Sequence, residues 1–165
     1  MLVISNRPGV RALEIAAAHG VPRAVLRRAE FDGDPSARDA AIGRALTSAG
    51  VELALLAGYD QVLVPSYFAA FSGRTINIHP SLLPAHGGPG MLGLGVHRSV
   101  LASGDPETGA TIHEVTAKVD AGPILAQARV PVLPGDDAET LAARVLAEEH
   151  RLLVATLVEV AATRC

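Results

Sequence analysis

Short apolar runs alternate with amphipathic segments through the first half of the chain. Runs of strand length lie at residues 2–4, 21–26, 51–56 and 75–78. Segments with apolar residues at helical spacing occupy residues 10–19, 38–49 and 65–71, and Gly50 stands where the C-cap of the second is expected. Residues 32–36, before the second helix, are predicted to form a polar loop. Strands that alternate with helices at this interval predict a parallel sheet covered on both faces, that is, a doubly wound α/β fold.

The second half of the chain begins with a glycine-rich and proline-rich loop. Residues 80–95 hold five Gly and three Pro, too many for regular structure and enough chain for a working loop. A helix is predicted at residues 96–102, and strands at 110–115 and 124–132 predict a hairpin-like pair at the sheet edge. A long final helix, from residue 137 to about 163, begins with an acidic cap region. The predicted sheet is therefore mostly parallel, with an antiparallel edge.

Composition and charge narrow the function classes. At 165 residues the chain has the length of one domain, so residues 1–165 are predicted to form a single domain. The net charge is −3 and no Lys/Arg cluster is present, which argues against a nucleic-acid partner. The most apolar stretch, residues 152–158, is far shorter than the roughly 20 residues of a membrane helix. Because Cys165 is the single cysteine and no basic leader precedes the first strand, a cytoplasmic protein is expected.

Other common chemistries are not indicated. The six histidines show no metal-ligand spacing, so no metal is expected. The chain has no Gly-x-Ser-x-Gly motif, which argues against a serine hydrolase. The glycines of residues 88–93 fit a dinucleotide-binding pattern, but they follow a proline-rich segment instead of a strand.

Asn77 and His79 form the first candidate for chemistry. They are two residues apart on a predicted strand, so their side chains point to the same face. Pro80 ends the strand directly afterwards, which places the pair at the carboxyl edge where open α/β sheets bind ligands. An amide can donate to a developing oxyanion and an imidazole can transfer a proton, a combination suited to acyl transfer. Spacing alone leaves open that Asn77 caps a turn and that His79 is a partly buried loop histidine.

Asp120 is the second candidate. It lies in the run Lys-Val-Asp-Ala-Gly-Pro at residues 118–123, which predicts a tight turn made rigid by Gly and Pro. An aspartate in such a turn commonly binds its own backbone, so from the residues alone a structural role stays open.

Three ordered segments carry a resemblance that covers nearly the whole chain. Residues 76–84 read Ile-Asn-Ile-His-Pro-Ser-Leu-Leu-Pro, residues 104–116 read Gly-Asp-Pro-Glu-Thr-Gly-Ala-Thr-Ile-His-Glu-Val-Thr, and residues 119–124 read Val-Asp-Ala-Gly-Pro-Ile. In this order they resemble the glycinamide ribonucleotide formyltransferase family. The Asn-x-His-Pro-Ser-Leu-Leu-Pro segment is typical of folate-dependent formyltransferases as a group. The likeness extends more loosely from about Leu2 through His150.

The resemblance implies formyl transfer from the co-substrate 10-formyltetrahydrofolate to the amine of glycinamide ribonucleotide, a step of purine biosynthesis. It implies that Asn77 binds the tetrahedral oxyanion, that His79 assists and relays a proton, and that Asp120 orients His79 or holds a water. The residues that it assigns to the folate are Leu56, Ala57, Gly58, Gln61, Leu63, Val119, Ala121 and Gly122. The residues that it assigns to the nucleotide substrate are Pro80, Ser81, Gly88 and Glu149.

The chain departs from the family pattern in two places. Asp60 and Gln61 stand where the family usually has Met and a basic residue. Family members also begin with a further strand and a Gly-Ser-Asn loop whose backbone amides hold the substrate phosphate, as helix N-termini do. This chain starts after them, so it is predicted to be N-terminally short and to bind the nucleotide weakly. Apolar surface exposed at the sheet edge then predicts low stability or self-association, the latter in the form of a homodimer.

These departures leave alternatives open. One is a non-catalytic or altered-substrate folate-binding protein that keeps the fold. Another is a different 10-formyltetrahydrofolate-dependent formyltransferase, although methionyl-tRNA formyltransferase and formyltetrahydrofolate hydrolase carry additional domains that do not fit in 165 residues. Glu149 reads equally well as a solvated charge on the final helix.

Overall fold

The computed structural model describes residues 1–162. They divide into two compact units: unit 1 comprises residues 1–54 and 61–74, and unit 2 comprises residues 55–60 and the chain from residue 75 onward. Cys165 and the predicted helix end near residue 163 lie outside the described residues. The prediction of a single domain stays a prediction.

Unit 1 contains a two-stranded parallel sheet and three α-helices. Its elements are β1 (Val3–Ser5), α1 (Arg11–Ala18), β2 (Arg23–Val25), a 3-10 helix (Arg28–Phe31), α2 (Pro35–Ser48) and α3 (Pro65–Ala70). Unit 1 also includes residues 53, 54 and 74, which begin the two strands described below with unit 2. The parallel β1–β2 pair, connected through α1, confirms the predicted strand–helix–strand order.

Helix α2 packs directly against α3. A Cβ at Gly43 would lie 2.7 Å from the Cβ of Ala70 and 2.9 Å from the carbonyl oxygen of Tyr67, so only glycine permits this approach. The Tyr67 ring is buried and meets the rings of Phe68 and Phe71 at centroid distances of 5.2 and 5.8 Å. Three of the five aromatic residues of the chain thus lie on α3 or directly after it.

The start of α2 differs from the predicted start at residue 38. The helix begins three residues earlier, because Asp34 caps it by accepting a hydrogen bond from the Ser36 amide at 2.7 Å and Pro35 occupies the first turn. Both residues are strong helix-start signals. The interpretation of residues 32–36 as a polar loop was therefore wrong for Pro35 and Ser36.

A buried ion pair lies on α2. Arg38 is 2% exposed and Asp39 is fully buried. One carboxylate oxygen of Asp39 accepts from the Arg38 Nε at 2.7 Å, and the other accepts from the Val64 backbone amide at 2.8 Å. Since Val64 is the N-cap residue of α3, Asp39 connects the two helices.

Unit 2 is built on a four-stranded sheet in the order β3-β4-β5-β6. The elements are β3 (Leu53–Leu56), β4 (Arg74–His79), α4 (Leu94–Ser103), β5 (Glu107–Glu114), β6 (Ile124–Pro131) and α5 (Ala138–Ala162). Strand β5 pairs antiparallel with both β4 and β6. The predicted hairpin-like pair is confirmed, and the antiparallel region extends one strand further, to β4.

The core of unit 2 forms where α4, β6 and α5 meet. Its fully buried members are Val100, Val130, Leu141 and Val145. Helix α5 begins with a reciprocal cap, because the Thr140 amide donates to the Asp137 carboxylate at 2.8 Å and the Asp137 amide donates to the Thr140 hydroxyl at 3.0 Å. This confirms the predicted acidic cap region. Within residues 1–162, no helix has both the length and the apolar character that crossing a bilayer requires.

Candidate active site

Asn77 and His79 lie on the last three residues of β4, as the sequence predicts. In the β4–β5 register, Asn77 is opposite His113 and His79 is opposite Thr111. His79 is buried at 4% exposure, whereas Asn77 is partly exposed. All of these residues belong to unit 2.

His113 links Asn77 to the rest of the site. Its Nδ1 is 2.9 Å from the carbonyl oxygen of Glu114, so Nδ1 carries the proton and donates. In the neutral ring, Nε2 is then an acceptor, and it accepts from the Asn77 amide nitrogen at 3.2 Å. One N–H of Asn77 is used in this contact, and its second N–H is available for a substrate oxygen.

Asp120 lies between two imidazole rings. Its Oδ1 is 3.5 Å from His113 Nε2, and its Oδ2 is 3.6 Å from His79 Nδ1. The Gly88 backbone amide donates to Oδ2 at 2.9 Å. The turn places Asp120 in the left-handed region at φ 50°, a conformation that aspartate tolerates better than most residues. The structure thus brings Asn77, His79 and Asp120 into one cluster, with His113 as a fourth member.

The environment keeps Asp120 ionised at neutral pH. Burial acts to raise the pKa of Asp120, but hydrogen bonding and attraction to the His113 ring in its protonated form, the Gly88 amide and the positive charge of a protonated His79 outweigh it, so this pKa lies below its ordinary value. A proton that arrives on either ring nitrogen facing Asp120 would therefore meet a carboxylate. This arrangement suits a group that holds a proton during acyl transfer.

The turn after β4 supports His79 through its backbone. His79 Nε2 donates to the carbonyl oxygen of His86 at 2.9 Å. The Ser81 hydroxyl donates to the carbonyl of Ala85 at 2.7 Å, and Ser81 is fully buried. Ser81 therefore holds the turn in this structure, and its predicted role as a substrate contact would require the turn to open. Pro80 and Gly88 are partly exposed on either side of it.

The residues predicted to bind folate fall in both units. Leu56, at the end of β3, and the exposed Ala57 and Gly58 belong to unit 2. Gln61 and Leu63 belong to unit 1. Leu63 is buried, and the Gln61 side-chain oxygen is buried with no hydrogen-bond partner among residues 1–162.

The other predicted folate residues flank Asp120, and Gly122 among them is fixed by sterics. Val119 is partly buried and Ala121 is exposed. A Cβ at Gly122 would lie 1.9 Å from the carbonyl oxygen of Glu114, a backbone atom that cannot rotate away. The glycine therefore allows the Asp120 turn to close against β5.

We expect Gly122→Ala to open this turn and to lower both stability and activity. Overpacking of this kind costs about 1–3 kcal/mol, and the turn that carries Asp120 has to move. Gly95→Ala is the matched control, since the space around Gly95 in α4 is open and alanine favours a helix. Urea unfolding should show a lower midpoint for Gly122→Ala than for the parent protein, whereas Gly95→Ala should show no decrease of the midpoint. Equal midpoints for the two variants would contradict the steric argument.

Glu149 lies on the inner side of α5, four residues after the buried Val145. Burial raises the pKa of Glu149 above its ordinary value, and the nearby His150 only partly opposes this. A half-buried carboxylate differs from the solvated helix charge that the sequence also allowed. Its predicted contact with the nucleotide substrate stays a prediction.

Glu149→Gln should stabilise the folded protein at neutral pH. The pKa of Glu149 is raised in the folded protein above the value of about 4 that it has in the unfolded chain. Ionisation of Glu149 therefore disfavours folding as the pH rises above about 4. A neutral amide at this position removes this effect. Thermal melting should give a higher midpoint for the variant at pH 7 and equal midpoints below pH about 4. A difference that does not change with pH would contradict this assignment.

His97 is a further imidazole at this end of unit 2. It lies on α4 at 4% exposure, and its Nδ1 has no hydrogen-bond partner among the described residues. Burial, and secondarily the charge of His79, lower the pKa of His97. His97 is therefore neutral at physiological pH, and it adds no positive charge beside His79.

Sequence reasoning missed the role of His113 and of the turn at residues 85–88. His113 is not among the predicted site residues, although its position opposite Asn77 follows from the pairing of the two strands. The turn acts through backbone atoms, which no residue pattern reveals. Among residues 1–162, no three or more His, Cys, Asp or Glu side chains are arranged to hold a metal ion.

Comparison with known proteins identifies the family. The model of the formyl transferase family matches residues 1–157. Phosphoribosylglycinamide formyltransferase from Mycobacterium tuberculosis is 46% identical over 151 residues, which are 92% of this chain and 67% of that protein. The chloroplastic phosphoribosylglycinamide formyltransferase of Arabidopsis thaliana is 40% identical over 154 residues, which are 93% of this chain but only 53% of that protein. The chain thus spans about half the length of this relative.

Solved structures agree in fold. Glycinamide ribonucleotide transformylase 1 from Symbiobacterium toebii superposes with a TM-score of 0.85 at 43% identity, covering 94% of this chain and 70% of that one. Phosphoribosylglycinamide formyltransferase from Brucella melitensis superposes with a TM-score of 0.85 at 44% identity, covering 98% and 80%. The predicted doubly wound α/β fold with an antiparallel edge and a long C-terminal helix is confirmed, and it is the Rossmann-like fold of these transferases. Sequence, fold and motif together establish that this chain belongs to the formyl transferase family.

Proposed function

We propose that the chain transfers a formyl group from 10-formyltetrahydrofolate to the amine of glycinamide ribonucleotide. The observation that carries the proposal is the cluster of Asn77, His79 and Asp120 at the end of β4, with an ionised carboxylate 3.6 Å from an imidazole nitrogen. An amide donor beside a histidine–carboxylate pair is what acyl transfer between two nitrogens requires. Relatives named phosphoribosylglycinamide formyltransferase support the choice of the amine acceptor.

The chemistry assigns one task to each side chain. The amine nitrogen forms a bond to the formyl carbon, and the carbonyl electron pair moves to oxygen, which gives a tetrahedral oxyanion. The second N–H of Asn77 donates to this oxyanion. The proton lost by the amine passes to the His79–Asp120 pair, and a proton is returned to the folate nitrogen as its bond to the formyl carbon breaks. No net charge or atom is gained.

Binding contacts form a separate part of the proposal. The end of β3 at Leu56, the following residues Ala57 and Gly58, and the turn residues Val119 and Ala121 supply backbone groups for the folate ring. Pro80, Gly88 and Glu149 contact the nucleotide. Glu149 supports this role because its inward-facing carboxylate can accept from a ribose hydroxyl, which would offset the energetic cost of its burial.

The test is direct formation of the N-formyl product. The chain is mixed with glycinamide ribonucleotide and 10-formyltetrahydrofolate, and the product is followed by mass spectrometry, with His79→Ala as the inactive control. Titration calorimetry with each substrate accompanies the assay. Turnover by the chain and its loss in the variant would support the proposal. Folate binding without turnover would instead favour the non-catalytic folate-binding alternative, and turnover only with another amine would favour a related formyltransferase.

The homodimer and the cytoplasmic location complete the proposal. Sedimentation velocity across a concentration series would test the dimer, because a single monomeric species at all concentrations would contradict it.

A further inference from the structure

The turn at residues 85–88 contacts both members of the His79–Asp120 pair, and both contacts are made by its backbone. The His86 carbonyl oxygen accepts from His79 Nε2 at 2.9 Å. The Gly88 amide donates to Asp120 Oδ2 at 2.9 Å. Any displacement of this turn therefore changes two hydrogen bonds of the site at once.

The carbonyl contact determines which nitrogen of neutral His79 carries the proton. A carbonyl oxygen only accepts, so the proton is on Nε2. The lone pair is then on Nδ1, the nitrogen that faces the carboxylate of Asp120 at 3.6 Å. In this tautomer, His79 can take up a proton at the position where Asp120 stabilises the resulting charge.

The side chain of His86 anchors the turn to the region of α4. Its Nε2 is 2.7 Å from Asp105 Oδ2, and its Nδ1 is 2.9 Å from the Ser99 hydroxyl oxygen. The Ser103 hydroxyl also donates to Asp105 Oδ2, at 2.8 Å. Both ring nitrogens of His86 therefore lie within hydrogen-bond distance of a partner. The backbone of His86 is in the left-handed region, at φ 53°.

Charge strengthens this anchor. The hydrogen bond from His86, followed by that from Ser103, lowers the pKa of Asp105 below its ordinary value. Asp105 is therefore an anion at neutral pH, and its carboxylate accepts a hydrogen bond from the Nε2–H group of His86. A charge-assisted hydrogen bond of this kind is shorter and stronger than a neutral one.

We propose that His86 and Asp105 are positioning residues, which hold the turn at residues 85–88 so that His79 keeps its proton on Nε2 and Asp120 stays opposite Nδ1. Neither side chain touches the reacting atoms. The kinetic readout of this inference rests on the proposed function, whereas its spectroscopic readout does not.

The test uses two main variants, the double variant that combines them, one milder variant of Asp105 and two controls. His86→Asn keeps a residue that tolerates the left-handed conformation but cannot reach Asp105, and Asp105→Ala removes the partner. Glu107→Ala is the matched control for Asp105→Ala, since Glu107 pairs with the exposed Arg129. His19→Ala serves for His86→Asn, because His19 is exposed and its Nδ1 is 2.9 Å from a backbone carbonyl oxygen of the preceding helix, that of Ile15. Thermal melting of every variant, with Asp105→Asn as a milder change, separates misfolding from mispositioning.

We expect each variant to lower kcat by about tenfold with little change in KM, since misplacement of a catalytic group by about 1 Å costs up to about a hundredfold. The double variant should lose no more than either single one, because both act through one contact. In long-range proton–nitrogen spectra, His79 should show the Nε2–H form in the parent protein and a mixture of tautomers in both variants. The controls should match the parent.

Other outcomes would overturn the inference. Unchanged His79 spectra in both variants would show that the pair does not position the ring, whether or not the parent protein transfers formyl groups. A double variant that loses the product of the two single effects would show independent actions. If the parent protein has no formyltransferase activity, the proposed function fails, and the spectra alone decide the positioning role.

Discussion

Asn77→Ala is expected to lower kcat by about 10²–10³-fold, equivalent to about 3–4 kcal/mol of lost transition-state stabilisation. The reason is that the amide is fixed before the reaction. One N–H of the Asn77 amide donates to His113 Nε2 at 3.2 Å. Because the amide group is planar, this hydrogen bond also fixes the direction of the second N–H. Steady-state formylation kinetics would measure the loss.

Two controls give this result its meaning. Substrate affinities from calorimetry should stay near those of the parent protein, because the contact is strongest in the transition state. Asn77→Asp should lose as much as Asn77→Ala, since it keeps the size of the side chain but replaces a donor by an acceptor. A kcat for Asn77→Ala within a few-fold of the parent value would remove Asn77 from the proposed mechanism.

Asp39→Ala should have the largest effect on stability, a loss of about 3–5 kcal/mol. The substitution leaves Arg38 as an unpaired charge at 2% exposure, and it also removes the acceptor for the Val64 amide. An uncompensated buried charge is far more costly than the buried pair itself. Urea unfolding monitored by circular dichroism would measure the change in the free energy of unfolding.

Combined substitutions separate the two causes. Asp39→Asn keeps an acceptor for Val64 but removes the charge, so it should also be strongly destabilising. Arg38→Met combined with Asp39→Asn removes both charges and should recover much of the loss. Glu148→Ala breaks an exposed pair with Arg151 on α5 and should leave the midpoint unchanged. If the double variant is less stable than Asp39→Asn alone, the argument from the unpaired charge is wrong.

The elements of the fold were predictable where local signals were strong. Pro80 ends β4 directly after His79, and the antiparallel pairing of β5 with β6 follows from their alternating patterns. The start of α2 was predicted three residues too late. Asp34 and Pro35 are helix-start signals, but the polar composition of residues 32–36 is also typical of a loop. Pairing of β5 with β4 is a long-range contact that local periodicity does not encode.

The site was predictable only in part, for a similar reason. Asn77 and His79 share one strand, so their proximity follows from spacing alone. Asp120 is more than forty residues further along the chain, and only the family resemblance connected it to them. The direct contacts of residues 86 and 88 with the site are made by a backbone carbonyl oxygen and a backbone amide, groups that every residue except proline possesses. Such contacts depend on the path of the chain, and residue identity does not indicate them.

The division into two units has a practical consequence for optical spectroscopy. The chain has no tryptophan and two tyrosines, so its ultraviolet emission comes from Tyr59 and Tyr67 alone. Tyr59 belongs to unit 2 and Tyr67 to unit 1. Replacing either tyrosine by phenylalanine leaves a single fluorophore that reports on one unit. Denaturation curves of the two single-fluorophore proteins would coincide if the molecule melts cooperatively and would separate if the units melt independently.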